Sequence, residues 1–254
     1  MAGHSKWSNI KARKGAQDKK RSKLFSRVLK EITIAIKENG LNGDPDSNPA
    51  LRNAIQNARG INMPKDNIER AIKKATGAES NNYEEVSFEG YGPHGIAIFV
   101  ECTTDNMNRT VGNVRSVFNK NGGSLGTNGS LEFLFTRMGV FTILKENMTM
   151  DWEELQLEMI EAGAETFEEE ENAYFIYTAF TDFGKASDKL RELGLEVTSS
   201  ELERIPNHTE VIPVEQALSI LKMVDLFEED DDVQGVFHNM ELTEELEKEL
   251  AEMG

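Results

Sequence analysis

Gly139–Ile205 reads "GVFTIL", then "MDWEELQLEMIEAG", "AETFEEEE", "AYFIYTAF", "DFGKASDKLRELG" and "LEVTSSELERI". The first, third, fourth and last pieces read as strands, where the apolar residues lack the helical period. They recur at three- and four-residue steps in the other two. The order is therefore strand–helix–strand–strand–helix–strand, the order of a ferredoxin-like sheet with two helices on one face.

The same periodicities extend outward. "EEVSFEGYG" and "GIAIFVECT" read as strands joined by the turn "GYGPHG". Asn108–Asn121 reads as a helix, "NGGSLGTNGS" as a loop and "LEFLF" as a strand. After Ile205, "EVIPV" reads as a strand, "VEQALSILKMVDLFEE" as a helix and "QGVFHNM" as a strand. That tail cannot bury its helix alone. Joined to the strand–helix–strand of residues 95–136, it completes a second βαββαβ. The expected organisation is a discontinuous α/β domain from 79–137 plus 206–240, with 138–205 inserted in it. Residues 241–254 are expected as an acidic C-terminal tail, either a short helix or frayed.

The first 78 residues carry a different pattern. Residues 1–17 have little apolar material and read as a mobile arm. From Asp18, the residues Leu24, Phe25, Val28, Leu29, Ile32, Ala35 and Ile36 mark a helix that stops at Asn39-Gly40. Asn48-Pro49 starts a second helix, with Pro at its first position. The third runs from Pro64 to before Gly77, with Ile68, Ala71, Ile72 and Ala75 inward and Arg70, Lys73 and Lys74 on the opposite face. The fold class expected is α+β: a three-helix basic domain over 1–78, then two ferredoxin-like α/β domains, one inserted in the other.

Charge divides the chain along the same line. The whole chain has a formal net charge of −17. Residues 1–80 nevertheless hold 17 Lys or Arg against 8 Asp or Glu, a net of +9, which leaves −26 for the rest. The first thirty residues contain ten cations, Lys6, Lys11, Arg13, Lys14, Lys19, Lys20, Arg21, Lys23, Arg27 and Lys30, against one acid, Asp18. Cations in the first turns of a helix oppose its dipole, at roughly 0.3–1 kcal/mol each when exposed. Nearby phosphates would relieve that conflict. Trp7 stands among these charges, placed to stack on a base or to anchor the arm. The candidate nucleic-acid surface is thus Lys6, Trp7, Lys11, Arg13, Lys14, Lys19, Lys20, Arg21, Lys23 and Arg27, with Arg70, Lys73 and Lys74 as a secondary basic face.

Other chemistry is poorly served. The four histidines and the single Cys102 are scattered, with no metal-ligand or triad spacing. The Gly-rich stretches lack the phosphate-loop lysine and the dinucleotide spacing. The runs "EEEE" at 168–171 and "EEDDD" at 228–232 read as solvated acidic turns, and Asp105 and Arg109 as helix-capping residues. No enzyme activity, cofactor, metal or small-molecule substrate is expected. No apolar run approaches a membrane span.

"AGHSKWSNIKARKGAQDKKRSKLFSRVLKEI", "DPDSNPALRNAIQNARGINMPKDNIERAIKKATG" and "FEGYGPHGIAIFVECTTDNMNRTVGNVRSVFNKNGGSLGTNGSLEFLF" together resemble the YebC/PmpR family. The resemblance runs in order over nearly the whole chain. It implies a helical N-terminal domain followed by two α/β domains. It also implies one of two roles: a probable transcriptional regulator on DNA, or a ribosome-associated factor that binds ribosomal RNA and relieves stalling at proline-rich stretches. The family includes mitochondrial translational activators. The chain starts at the "AGHSKW" motif, so a bacterial, cytoplasmic protein is expected.

Overall fold

The computed structural model describes residues 17–77 and 82–252, with side chains from Ser22 onward. The described residues form two compact units. One holds 17–23, 82–136 and 204–252, and the other 24–77 and 137–203. The first helix, α1 (Gln17–Glu38), contributes to both.

In the first unit, β1 (Glu84–Tyr91) and β2 (Ala97–Thr104) form a hairpin, with Glu84 opposite Thr104 and Tyr91 opposite Ala97. The turn between them places His94 and Gly95 at φ 62° and 79°, a left-handed region that glycine enters without strain. Next come α4 (Met107–Lys120) and the two-residue β3 (Ser124–Leu125). After residue 203 the unit resumes with α7 (Val214–Glu228), β8 (Val233–His238) and α8 (Glu244–Glu252). The sheet order is β3-β1-β2-β8, antiparallel throughout. Phe88, Ile98, Val100, Val114, Phe118, Ile220, Val224 and Phe227 form its core, where the Phe118 and Phe227 rings meet edge-on at 4.9 Å. Ala97, Phe99 and Phe237 pack with Leu131 and Phe135. Burial of both sets explains why the run "AIFV" in β2 is continuously apolar.

Two expected strands are not strands. "LEFLF" makes a 3-10 turn over Glu132–Leu134, and only Phe135 joins a sheet, as the first residue of β4 (Phe135–Leu144). "EVIPV" supplies a single isolated parallel bridge, Glu210 to Met240. Pro213 has no N–H for a ladder, and α7 starts directly after it. The place given to "EVIPV" is filled by β1, which lies between β3 and β2. The sheet is therefore ferredoxin-like in spatial order, with its third strand moved to the front of the chain.

In the second unit, α1 from Leu24, α2 (Pro49–Gly60) and α3 (Lys65–Thr76) pack around Ile32, Ile36, Leu51, Ala54, Ala58 and Ile68. Asn48 is fully buried and pins the first two helices. Its Oδ1 accepts from the Leu51 amide at 3.1 Å, and its Nδ2 donates to the Ala35 and Asn42 carbonyls, each at 2.9 Å. The other component comprises β4 (Phe135–Leu144), α5 (Trp152–Glu161), β5 (Ala164–Glu169), β6 (Ala173–Ala179), α6 (Phe183–Glu192) and β7 (Ser199–Pro206). Its sheet order is β5-β6-β4-β7, the ferredoxin-like order expected of Gly139–Ile205. Phe141, Ile143 and Ile176 bury against Leu155 and Met159 of α5 and Ala186 and Leu190 of α6. Gly139 is required under α6, because a Cβ there would lie 2.4 Å from the Phe183 ring.

Candidate nucleic-acid interface

The sequence-predicted surface divides in the structure. Lys6, Trp7, Lys11, Arg13 and Lys14 lie outside the described residues. Lys19, Lys20 and Arg21 fall in the first turns of α1, which begins at Gln17. Lys23 and Arg27 both make protein contacts. The Lys23 ammonium donates to the main-chain carbonyls of Glu228, at 3.2 Å, and Glu229. The Arg27 guanidinium binds Glu201 at 2.7 Å and Glu31 at 3.4 Å.

Arg27 thereby belongs to a joint within the second unit. Ser199 donates to the second oxygen of Glu201 at 3.0 Å. Asn57 exchanges two hydrogen bonds with the Ser200 main chain, at 2.8 and 3.0 Å, and donates to Glu31 at 3.4 Å. Burial pushes the Glu31 carboxyl up to about 7, and the Glu201 charge adds to the rise; Arg27 and the Asn57 hydrogen bond oppose it. The helical bundle and the sheet also approach at Gly60, where a Cβ would overlap the Thr198 carbonyl oxygen at 1.9 Å. Glycine is the residue that lets the two main chains meet there.

The secondary basic face is exposed as expected. Arg70, Lys73 and Lys74 all face solvent on α3. Arg70 is steadied on its own helix by the Asp66 carbonyl, 3.1 Å away, and by Asn67. Lys73 and Lys74 occupy the last turn, where the helix dipole favours cations. Lys65 pairs along the same helix with Glu69 at 3.4 Å.

A groove of about 590 Å³ in the second unit was not anticipated. Arg52 and Arg59 of α2 and Arg191 of α6 line it, together with Asp46, Asp188 and Glu196. Asp188 holds Arg191 at 3.0 Å and Arg52 at 3.8 Å. The seven-residue spacing of Arg52 and Arg59, two helical turns, is a signal present in the sequence. Arg191 arrives from a distant segment and gives none.

One acidic feature also differs from expectation. Asp232, the end of the "EEDDD" run, is not solvated: it is 3% exposed. Its carboxylate accepts from Thr104 at 3.1 Å, from Thr110 at 2.9 Å and from Arg109 at 2.6 Å. That network raises the Arg109 pKa, first through the Asp232 hydrogen bond and then through Asp105. The helix cap itself is Asn106, whose Oδ1 accepts from the Arg109 amide at 3.1 Å. The loop "NGGSLGTNGS" is held by Glu89, 1% exposed, which accepts from the amides of Gly129 at 2.7 Å and Leu131 at 2.5 Å. These carboxylates are structural clamps. Among the described residues, no group of three or more His, Cys, Asp or Glu is placed to hold a metal ion. No described helix is long and apolar enough to cross a membrane.

A ferredoxin-like sheet can offer aromatic residues to RNA on its helix-free face. Here the β6 residues Phe175 and Tyr177, whose side chains alternate with the helix-facing Ile176, are 2% and 3% exposed. That face is not an open stacking platform.

Two family models match the chain. Residues 5–78 match "TACO1/YebC protein N-terminal domain", and residues 83–240 match "TACO1/YebC second and third domain". A "Probable transcriptional regulatory protein" of Geobacillus sp. (strain WCH70) is 50% identical over 242 residues, covering 95% of this chain and 98% of that one. Another of the same name, from Amoebophilus asiaticus (strain 5a2), is 49% identical over 242 residues, covering 94% and 98%. The crystal structure of a conserved hypothetical protein, Aq1575 from Aquifex aeolicus, superposes with a TM-score of 0.79 at 40% identity, covering 89% of this chain and 93% of that one.

Proposed function

The chain belongs to the TACO1/YebC family, and from that membership we propose that it regulates gene expression by binding nucleic acid through the phosphate backbone. Its relatives carry the name of probable transcriptional regulators. The observation that carries the reading is the segregation of charge: ten cations against one acid in residues 1–30, beside a net of −26 in residues 81–254. The primary surface is Lys6, Trp7, Lys11, Arg13, Lys14, Lys19, Lys20 and Arg21. Lys23 and Arg27 border it, their charges shared with main-chain carbonyls and carboxylates of the protein. Arg70, Lys73 and Lys74 supply a further exposed basic face on α3. Contacts of this kind fix affinity and register more than sequence preference. The protein works without catalysis or a cofactor, in the cytoplasm.

A second reading makes the polymer ribosomal RNA and the protein a translation factor. The acidic α/β portion favours it, because a duplex wrapped on that surface would meet repulsion. Cosedimentation with large ribosomal subunits, set against binding to a promoter-length duplex, separates the two. Saturable subunit binding with weak, sequence-blind duplex binding rejects the transcriptional reading. Tight duplex binding without subunit binding rejects the ribosomal one. Charge reversal at Lys19, Lys20 and Arg21 weakens whichever contact is made, and unchanged affinity would overturn both.

A further inference from the structure

Helix α5 has its buried side where folding requires it and an apolar centre where folding does not. Leu155 and Met159 are fully buried in the sheet core. At 100° per residue, Leu157 and Ile160 lie on the opposite side of the helix. They are 68% and 55% exposed, two aliphatic side chains one turn apart at the middle of the solvent face. Glu153, Glu154 and Glu161, all exposed, surround them. Glu158, beside them, is held by Lys189.

The wider charge pattern is mostly acidic, although two cations of α6 stand beside α5, Lys189 on Glu158 and Lys185 on the Glu161 main-chain carbonyl at 2.6 Å. Residues 146–184 contain twelve Asp or Glu and no Lys, Arg or His. A nucleic acid is repelled by such a rim. Two copies of this face would repel each other as well. A surface with an aliphatic centre and an acidic border fits an amphipathic helix whose apolar stripe is bordered by Lys or Arg.

The geometry points to α5 as a docking face for a basic amphipathic helix of a partner protein, with Leu157 and Ile160 as the apolar anchors and Glu153, Glu154 and Glu161 as the charged border. The site shares no residue with the basic surface proposed for nucleic acid.

The test uses the full-length protein and a fluorescein-labelled 14-residue peptide of Leu and Lys, with Leu at positions i, i+3, i+4 and i+7. A peptide of the same composition in scrambled order is the control, and binding is read by anisotropy. The patterned peptide is expected to bind at least tenfold more tightly than the scrambled one. Leu157→Ser with Ile160→Ser removes that preference. Glu153→Gln with Glu154→Gln and Glu161→Gln weakens binding and flattens its salt dependence. Leu157 and Ile160 face solvent, so that variant keeps wild-type thermal unfolding and duplex-DNA affinity; the glutamine variant keeps the duplex-DNA affinity and unfolds at a slightly lower temperature, because Glu153 and Glu154 lie in the first turn of α5. Equal binding of the two peptides, or full binding by the Leu157/Ile160 variant, overturns the proposal. So does a wild-type dimer in sedimentation that the Leu157/Ile160 variant dissolves, because the face would then belong to a second copy. Loss of nucleic-acid binding in that variant overturns it too, and leaves the phosphate-contact reading standing.

Discussion

The two four-stranded sheets share one spatial order, and only one of them is continuous in the chain. The strands β4 to β7 lie between Phe135 and Pro206, joined in chain order through α5, a turn and α6. The sheet β3-β1-β2-β8 takes three strands from before that segment and one from after it. The continuous sheet is built from neighbours in sequence. The divided one gains its edge strand and the helix α7 only after the other has been written, so more of its contacts are distant in sequence. The clamps follow that difference. Asp232, on the returning segment, is tied to Thr104, Arg109 and Thr110 on the leading one by buried, charge-assisted hydrogen bonds.

Deleting core volume strains the comparison most. Phe227→Ala removes a fully buried ring that meets Phe118 in the divided unit. It is expected to cost about 3–5 kcal/mol in denaturant unfolding. Phe141→Ala in the other unit is expected to cost a similar amount. Hydrogen exchange should place each loss in its own unit. Equal loss of protection over residues 137–203 in Phe227→Ala would show one cooperative body instead of two.

Asp232→Asn comes next. It weakens the bonds that join the two segments of the divided sheet, at an expected cost of about 1.5–3 kcal/mol. A change under a few tenths would mean the network is replaceable. Gly139→Ala probes the continuous unit, where the added Cβ meets Phe183 at 2.4 Å. Repacking α6 is expected to cost about 1–3 kcal/mol, read as a lower midpoint at unchanged slope.

The smallest effect is pH-dependent. Glu31 ionises at about 7 in the fold against 4.5 unperturbed. The folded state therefore holds the extra proton between those values, and the Glu31 contribution to stability falls as pH rises through that window. Glu31→Gln keeps a neutral side chain beside Asn57 and Arg27. Its stability relative to wild type is expected to rise by roughly 1–2 kcal/mol between pH 4.5 and pH 8, less than the full shift because the side chain is partly exposed and faces Arg27. A constant difference across that range would show that the joint does not titrate.

Most elements were legible because each has its own period. The βαββαβ run at Gly139–Ile205 needed nothing from outside itself. The sheet order of the other unit was not legible in full, since "EEVSFEGY" and "EVIPV" both read as strand-forming. Only tertiary pairing tells that the first occupies the place beside β2. Local pattern also hid Asp232, whose acidic neighbours face water while it turns inward. At the candidate interface, the charge of Arg27 could be read from sequence, but its partner Glu201 lies 174 residues away. Separation along the chain likewise hid Arg191 from the arginines of α2. By contrast, the outward Leu157 and Ile160 were visible at helical spacing, once Leu155 and Met159 defined the inward side.

The central claim is that the basic N-terminal segment meets phosphate. The salt dependence of duplex-DNA binding by the full-length protein tests it most directly. If five phosphates are engaged, the log–log slope of affinity against salt is about −4.5. Charge reversal at Lys19, Lys20 and Arg21 should make it shallower by nearly one for each lost contact. An affinity that hardly responds to salt, with the reversed variant binding like wild type, would contradict the claim.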